Sequence, residues 1–65
     1  MRFIEIKDSN GTILVDRYRI VAVYAARDSH LLYLDIKDSK DVRFVLRYDN
    51  AEERDYYYTK LREAL

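Results

Sequence analysis

The sequence predicts an α+β domain: a five-stranded, strongly twisted antiparallel meander sheet with one C-terminal helix packed on one face. Three observations carry this. Five strand-like runs are separated by short polar turns. Three of those turns share one pattern, Lys7-Asp8-Ser9, Arg27-Asp28-Ser29 and Lys37-Asp38-Ser39. The apolar period then changes from that of a strand to that of a helix after Tyr48. Reuse of good turn chemistry accounts for the repeated pattern without a duplicated hairpin.

The first strand, 2–7, alternates, with Ile4 and Ile6 on one side and Phe3, Glu5 and Lys7 on the other. Asp8-Ser9-Asn10-Gly11 follows as a hairpin loop, since Asn and Gly tolerate positive φ. A second strand, 12–16, then pairs Lys7 with Thr12, Ile6 with Ile13 and Ile4 with Val15, so all four aliphatic side chains share a face. Residues 16–19 are polar apart from Tyr18 and carry no Gly, Pro or Asn. They read either as a short link or as the bent middle of one long strand.

Ile20 to Ala26 is almost wholly apolar, as in a strand covered on both faces, and is placed in a third strand, 19–26. With Arg27 to His30 as the turn, the fourth strand, 31–37, sets Ala25 against Leu32, Val23 against Leu34 and Val21 against Ile36. A loop over residues 39–41 leads into the fifth strand, 42–48, aligning Phe44 with Ile36 and Leu46 with Leu34. The predicted helix, 50–64, starts from Asp49 or Asn50, each followed three residues later by Glu52 or Glu53 in a capping box. Lys60 and Arg62 near its far end suit the helix dipole. Tyr57, Tyr58, Leu61, Ala64 and Leu65 form its apolar stripe, while Tyr56 and the charged residues are expected in solvent.

Composition limits the functional classes. A chain of 65 residues holds one small domain, 1–65, and buries only about 60% of its unfolded surface. Chains this small often add disulfides, a metal or a partner subunit. With no cysteine, disulfides and Cys-ligated zinc are excluded, so self-association becomes the route to examine. Twelve basic and twelve acidic residues cancel, so no net field draws the chain to nucleic acid or an anionic membrane. No window approaches the roughly 20 apolar residues of a spanning helix, and the start MRFIEIKD does not resemble a signal peptide. No membrane partner and a cytoplasmic location are therefore expected. Seven tyrosines fit half-buried strands and binding faces alike.

The helix covers one sheet face, expected to be the aliphatic one that includes Ile4, Ile6, Val15, Val21, Leu34 and Phe44. The other face still carries Phe3, Leu14, Ile20, Tyr24, Leu31, Tyr33 and Val45, with Arg43 and Arg47 beside them, which is more apolar surface than a solvated sheet face normally shows. These residues are the expected interaction surface of a non-enzymatic module, a homodimer or a binder of another protein. A second reading has Tyr24 and Tyr33 stacking bases of a single-stranded nucleic acid or nucleotide while Arg43 and Arg47 neutralise phosphate. Asp35 and Glu5 on the same face and the zero net charge weigh against it. A third is an engineered scaffold without natural function, in keeping with a single Gly and no Pro.

No catalytic residue, cofactor or metal is expected. The one histidine, His30, and the serines Ser9, Ser29 and Ser39 lie in turns, where hydroxyls commonly bond nearby backbone and no nucleophile is held against a base. Asp8-Ser9-Asn10-Gly11 starts like a calcium loop but lacks the further ligands and the closing Glu.

Overall fold

The computed structural model describes residues 2–37 and 43–65. Its elements, in order, are β1 (Phe3–Asp8), β2 (Gly11–Asp16), a 3-10 turn (Arg17–Arg19), β3 (Ile20–Ala25), β4 (Leu31–Ile36), β5 (Arg43–Arg47) and α1 (Ala51–Ala64). The class is α+β, as predicted, with five antiparallel strands and a C-terminal helix. The strands do not form one meander. β1 and β2 make a two-stranded sheet, and β3, β4 and β5 a separate three-stranded one. The reason lies at Asp16, whose Oδ1 accepts the Tyr18 N–H at 3.0 Å and starts the 3-10 turn. That turn re-aims the chain, so β3 departs from β2 rather than pairing with it. The 12–26 segment is thus two strands.

The first hairpin has the predicted register, with Ile4 opposite Val15 and Ile6 opposite Ile13. Asp8 Oδ1 accepts the N–H groups of Asn10 and Gly11 at 3.0 and 3.1 Å, and Gly11 takes a φ of 144°, which L side chains resist. The same aspartate joins the sheets: its Oδ2 accepts the Arg47 N–H at 3.1 Å, and Ser9 N–H and Oγ both donate to the Arg47 carbonyl at 2.8 Å.

Two register expectations need correction. Ala25 faces Leu32 and Val23 faces Leu34 as predicted, but Ile20, not Val21, faces Ile36, because a bulge lies between Ile20 and Ala22. Ile20 therefore packs against the core and Val21 is left 65% exposed, each the reverse of its expected side. An unbroken apolar run is compatible with either phase, so the pattern had no power to choose. On the next strand, Leu46 faces Leu32 and Phe44 faces Leu34, two residues along from the expected alignment. The expected register would have set Lys37 against Arg43, whereas the observed one sets Asp35 there, and opposite charges across strands are the stable choice. A shift of two preserves faces, but it leaves Phe44 44% exposed instead of in the core. The predicted loop 39–41 lies outside the described residues, as does the first residue of the predicted strand 42–48.

The core gathers Ile4, Ile6 and Val15 from the first sheet, Leu32, Leu34 and Leu46 from the second, and Tyr48 and Leu61 from the end of the chain. Asn50 caps α1, its Oδ1 accepting the Glu53 N–H at 2.8 Å. The helix buries Leu61, half-buries Tyr57, Tyr58 and Ala64, and leaves Tyr56 exposed. Leu65, expected in the stripe, lies past the last turn and is exposed. Arg54, expected in solvent, is only 8% exposed. It occupies the same stripe one turn before Tyr57 and Tyr58, and its Nη1 donates to the carbonyls of Ala26 and Ser29 at 2.5 and 2.8 Å while Nε donates to Asp55 at 2.6 Å. At the other end Arg17 donates to the Ala64 carbonyl at 3.2 Å. Among the described residues no helix is long and apolar enough to cross a membrane.

Tyr48 stacks on Tyr57 with ring centroids 5.4 Å apart, and its buried hydroxyl has no hydrogen-bond partner among the described residues. Burial pushes the phenol pKa up, reinforced by the negative charge of Asp8.

Two predictions follow from this packing. Arg54→Ala should lower the unfolding free energy by about 2–3 kcal/mol, since it removes charge-assisted bonds to two carbonyls; urea unfolding reads the loss, and Arg54→Lys should recover only part of it. Tyr48→Phe should instead raise stability by about 1 kcal/mol by deleting an unpaired hydroxyl. Because the folded phenol holds its proton more tightly than the unfolded one, its contribution is intact below about pH 10 and lost above it, so Tyr48→Phe should also flatten the alkaline fall of stability.

Candidate interaction surface

The outer face of the three-stranded sheet brings together most of the residues expected there. The Ala26 N–H donates to the Leu31 carbonyl at 3.0 Å, which fixes the alternation along β3 and β4 and makes Tyr24 and Tyr33 a directly opposed pair that exchanges backbone hydrogen bonds. Tyr33 is in turn opposite Val45, Asp35 opposite Arg43, and Leu31 opposite Arg47. These side chains all project from the side of the sheet away from Leu32, Leu34 and Leu46.

Arg43 is the centre of this face. Its guanidinium carbon lies 5.3 Å from the Tyr24 ring centroid and 5.2 Å from that of Tyr33, so one cation serves both rings. Its Nε and Nη2 donate to the two carboxylate oxygens of Asp35 at 2.6 and 3.1 Å, a fork geometry that fixes both side chains. That hydrogen bonding holds the Asp35 carboxyl below the usual carboxylate range despite some desolvation. The unit is locally neutral. Tyr24 is 51% exposed and Val45 37%, with Tyr33 and Leu31 half-buried beside them.

Phe3 and Leu14 are not part of this face. They lie on the outer side of the β1–β2 hairpin, where they border a groove of about 650 Å³ with Arg2, Arg17 and Lys60. Around it Arg2 bonds Asp16 at 2.8 Å and stacks near Phe3 and Tyr18, and Lys60 donates to the Glu5 carbonyl at 3.3 Å. Ile20, drawn inward by the bulge, belongs to neither surface. The expected single interaction surface is therefore two, divided because the sheet is two.

Sequence reasoning missed Asp35 as the fixed partner of Arg43, although the sign of the two charges and their proximity across a hairpin were available to find it. It also missed the cluster around Arg2 and Tyr18, for which the alternation of β1 gives no signal. His30 sits in the β3–β4 turn with its side chain exposed, and its carbonyl accepts the Tyr48 N–H at 3.1 Å. Among the described residues no group of His, Asp and Glu is placed to hold a metal ion. Compared with protein-family models, curated proteins and solved structures, the chain matches none.

The Arg43–Asp35 fork is open to a direct test. Arg43→Gln should move the Asp35 carboxyl back up toward the ordinary carboxylate value near 3.9, followed by carboxyl NMR titration, and the wild-type group should titrate below it. An Asp35 titration indifferent to the substitution would contradict the pairing.

Proposed function

We propose that this chain is a non-enzymatic self-association module, a homodimer assembled through the outer region of the β3–β4–β5 sheet. The observation that carries the reading is the Tyr24–Tyr33 pair, with Tyr24 and Val45 exposed on the sheet face, Tyr33 and Leu31 half-buried beside them, and the central cation neutralised by Asp35. Aromatic side chains of this kind supply much of the contact energy of protein interfaces. A second copy is the fitting occupant because the face carries a paired charge at its centre, so two copies brought together meet no like-charge repulsion there. Size points the same way, since a chain of 65 residues without disulfides gains stability from a subunit contact.

The single-stranded nucleic-acid reading needs Arg43 and Arg47 for phosphate. Asp35 fills the Nε and Nη2 side of Arg43 and neutralises its charge, so a phosphate approaching the remaining Nη1 edge would meet a carboxylate already paired with that cation. That weighs for the protein partner.

Sedimentation equilibrium at micromolar concentration should give a mass near twice that of the chain, and Tyr24→Lys should shift the equilibrium toward monomer by at least about tenfold in Kd. A wild-type chain that stays monomeric across that range would overturn the proposal.

A further inference from the structure

The same sheet has an edge as well as a face. In an antiparallel ladder the residues of one strand alternate, one directing its N–H and C=O to the neighbour and the next directing them away. The Ala26 to Leu31 bond places Ala22, Tyr24 and Ala26 in the first set. Val23 and Ala25 are therefore in the second. Their N–H and C=O groups point out from the free side of β3, and among the described residues no hydrogen bond reaches them. On the corresponding side of β5, Asp8 and Ser9 occupy the backbone groups of Arg47, and on the free side of β1 Lys60 occupies the Glu5 carbonyl.

β3 also lacks the usual guards of an open edge. Its residues, Ile20 to Ala25, include no charge and no proline, and Val21, Tyr24 and Ala25 are exposed. Two partial guards are present: the bulge between Ile20 and Ala22, which leaves the following residues regular, and α1, which lies closer to β3 than to any other strand. The helix presents Leu61 to the core cluster of Leu32 and Leu34 and leaves Ala25 exposed.

We infer that the two copies meet along β3, antiparallel and about a two-fold axis at Tyr24. This deepens the self-association reading and rests on it. In that register the N–H and C=O of Val23 pair with those of the partner's Ala25 and the reverse, all within the regular part of the strand. Tyr24 faces the partner's Tyr24 across the axis on the outer face. The two three-stranded sheets become one continuous sheet, and the Tyr24–Tyr33–Arg43 units of both copies lie side by side. This is an isologous contact, closed by its own symmetry.

Two variants separate this arrangement from face-to-face stacking of the sheets. Proline at an outward-pointing N–H of an edge strand removes a donor to the partner without removing a bond to β4. Ala25→Pro should therefore raise the dimer Kd at least about tenfold, while Thr12→Lys, exposed on the other sheet, should leave it within about twofold. Face-to-face stacking predicts a Kd that Ala25→Pro leaves unchanged. Amide exchange provides a second readout that does not depend on how either variant folds: in the wild-type chain Val23 and Ala25 N–H should gain protection as concentration rises, in step with dimer formation. A dimer that tolerates Ala25→Pro, with those two amides exchanging freely at every concentration, overturns the edge contact and leaves self-association standing. A monomer at all concentrations overturns both.

Discussion

The arrangement depends on a buried arginine. Arg54 is the only described charged residue in the interior, and taking a guanidinium out of water is costly unless its donors are filled. Here two are spent on the carbonyls of Ala26 and Ser29 and one on Asp55. The carbonyls belong to the turn between β3 and β4, so the bond fixes where the helix begins relative to the central hairpin. A cation in the first turns of a helix opposes the dipole, and Glu52, Glu53 and Asp55 around it offset that. At the C-terminal end Arg17 bonds the Ala64 carbonyl, where a cation is favoured. Held at both ends, the short apolar stripe around Leu61 has one way to lie.

The polar turns do the same kind of fastening between sheets. Asp8 closes its own hairpin with one carboxylate oxygen and holds β5 with the other, and Ser9 completes the joint on the Arg47 carbonyl. The Asp-Ser pattern recurs at Asp28-Ser29, where the serine supplies a carbonyl to Arg54 instead. Thus the same turn chemistry serves two different attachments. Together they let two small sheets share one core although, among the described residues, no strand-to-strand ladder joins them.

What was legible in the sequence follows from which signals have a definite phase. Ile4, Ile6, Ile13 and Val15 alternate with polar residues, and their register was readable to the residue. Asn50 and Glu53 gave the helix start for a similar reason, since a cap is a local hydrogen bond. Ile20 to Ala25 carries no alternation, so nothing in it marked the bulge that exchanges Ile20 and Val21. The charge of Arg54 points to solvent, whereas its position seven residues before Leu61 puts it on the buried stripe, and the geometry prevails. For the candidate surface, the Tyr24–Tyr33 opposition was legible from hairpin length, but the separation of Phe3 and Leu14 was not, because it depends on the 3-10 turn at Arg17–Arg19.

The exchange at the bulge also bears on how the surface works. An unbulged β3 would present outward backbone groups along its whole length, and a long, flat, apolar edge pairs without limit or register. With Val21 displaced, regular pairing is confined to the segment from Ala22 onward, where Tyr24 stands at the middle of the outward groups of Val23 and Ala25. In the dimer proposed above, a short edge centred on one aromatic residue would be completed once, by a copy turned about that residue. On that proposal the irregularity that hid from the sequence pattern is also what would limit β3 to a single, closed mode of association.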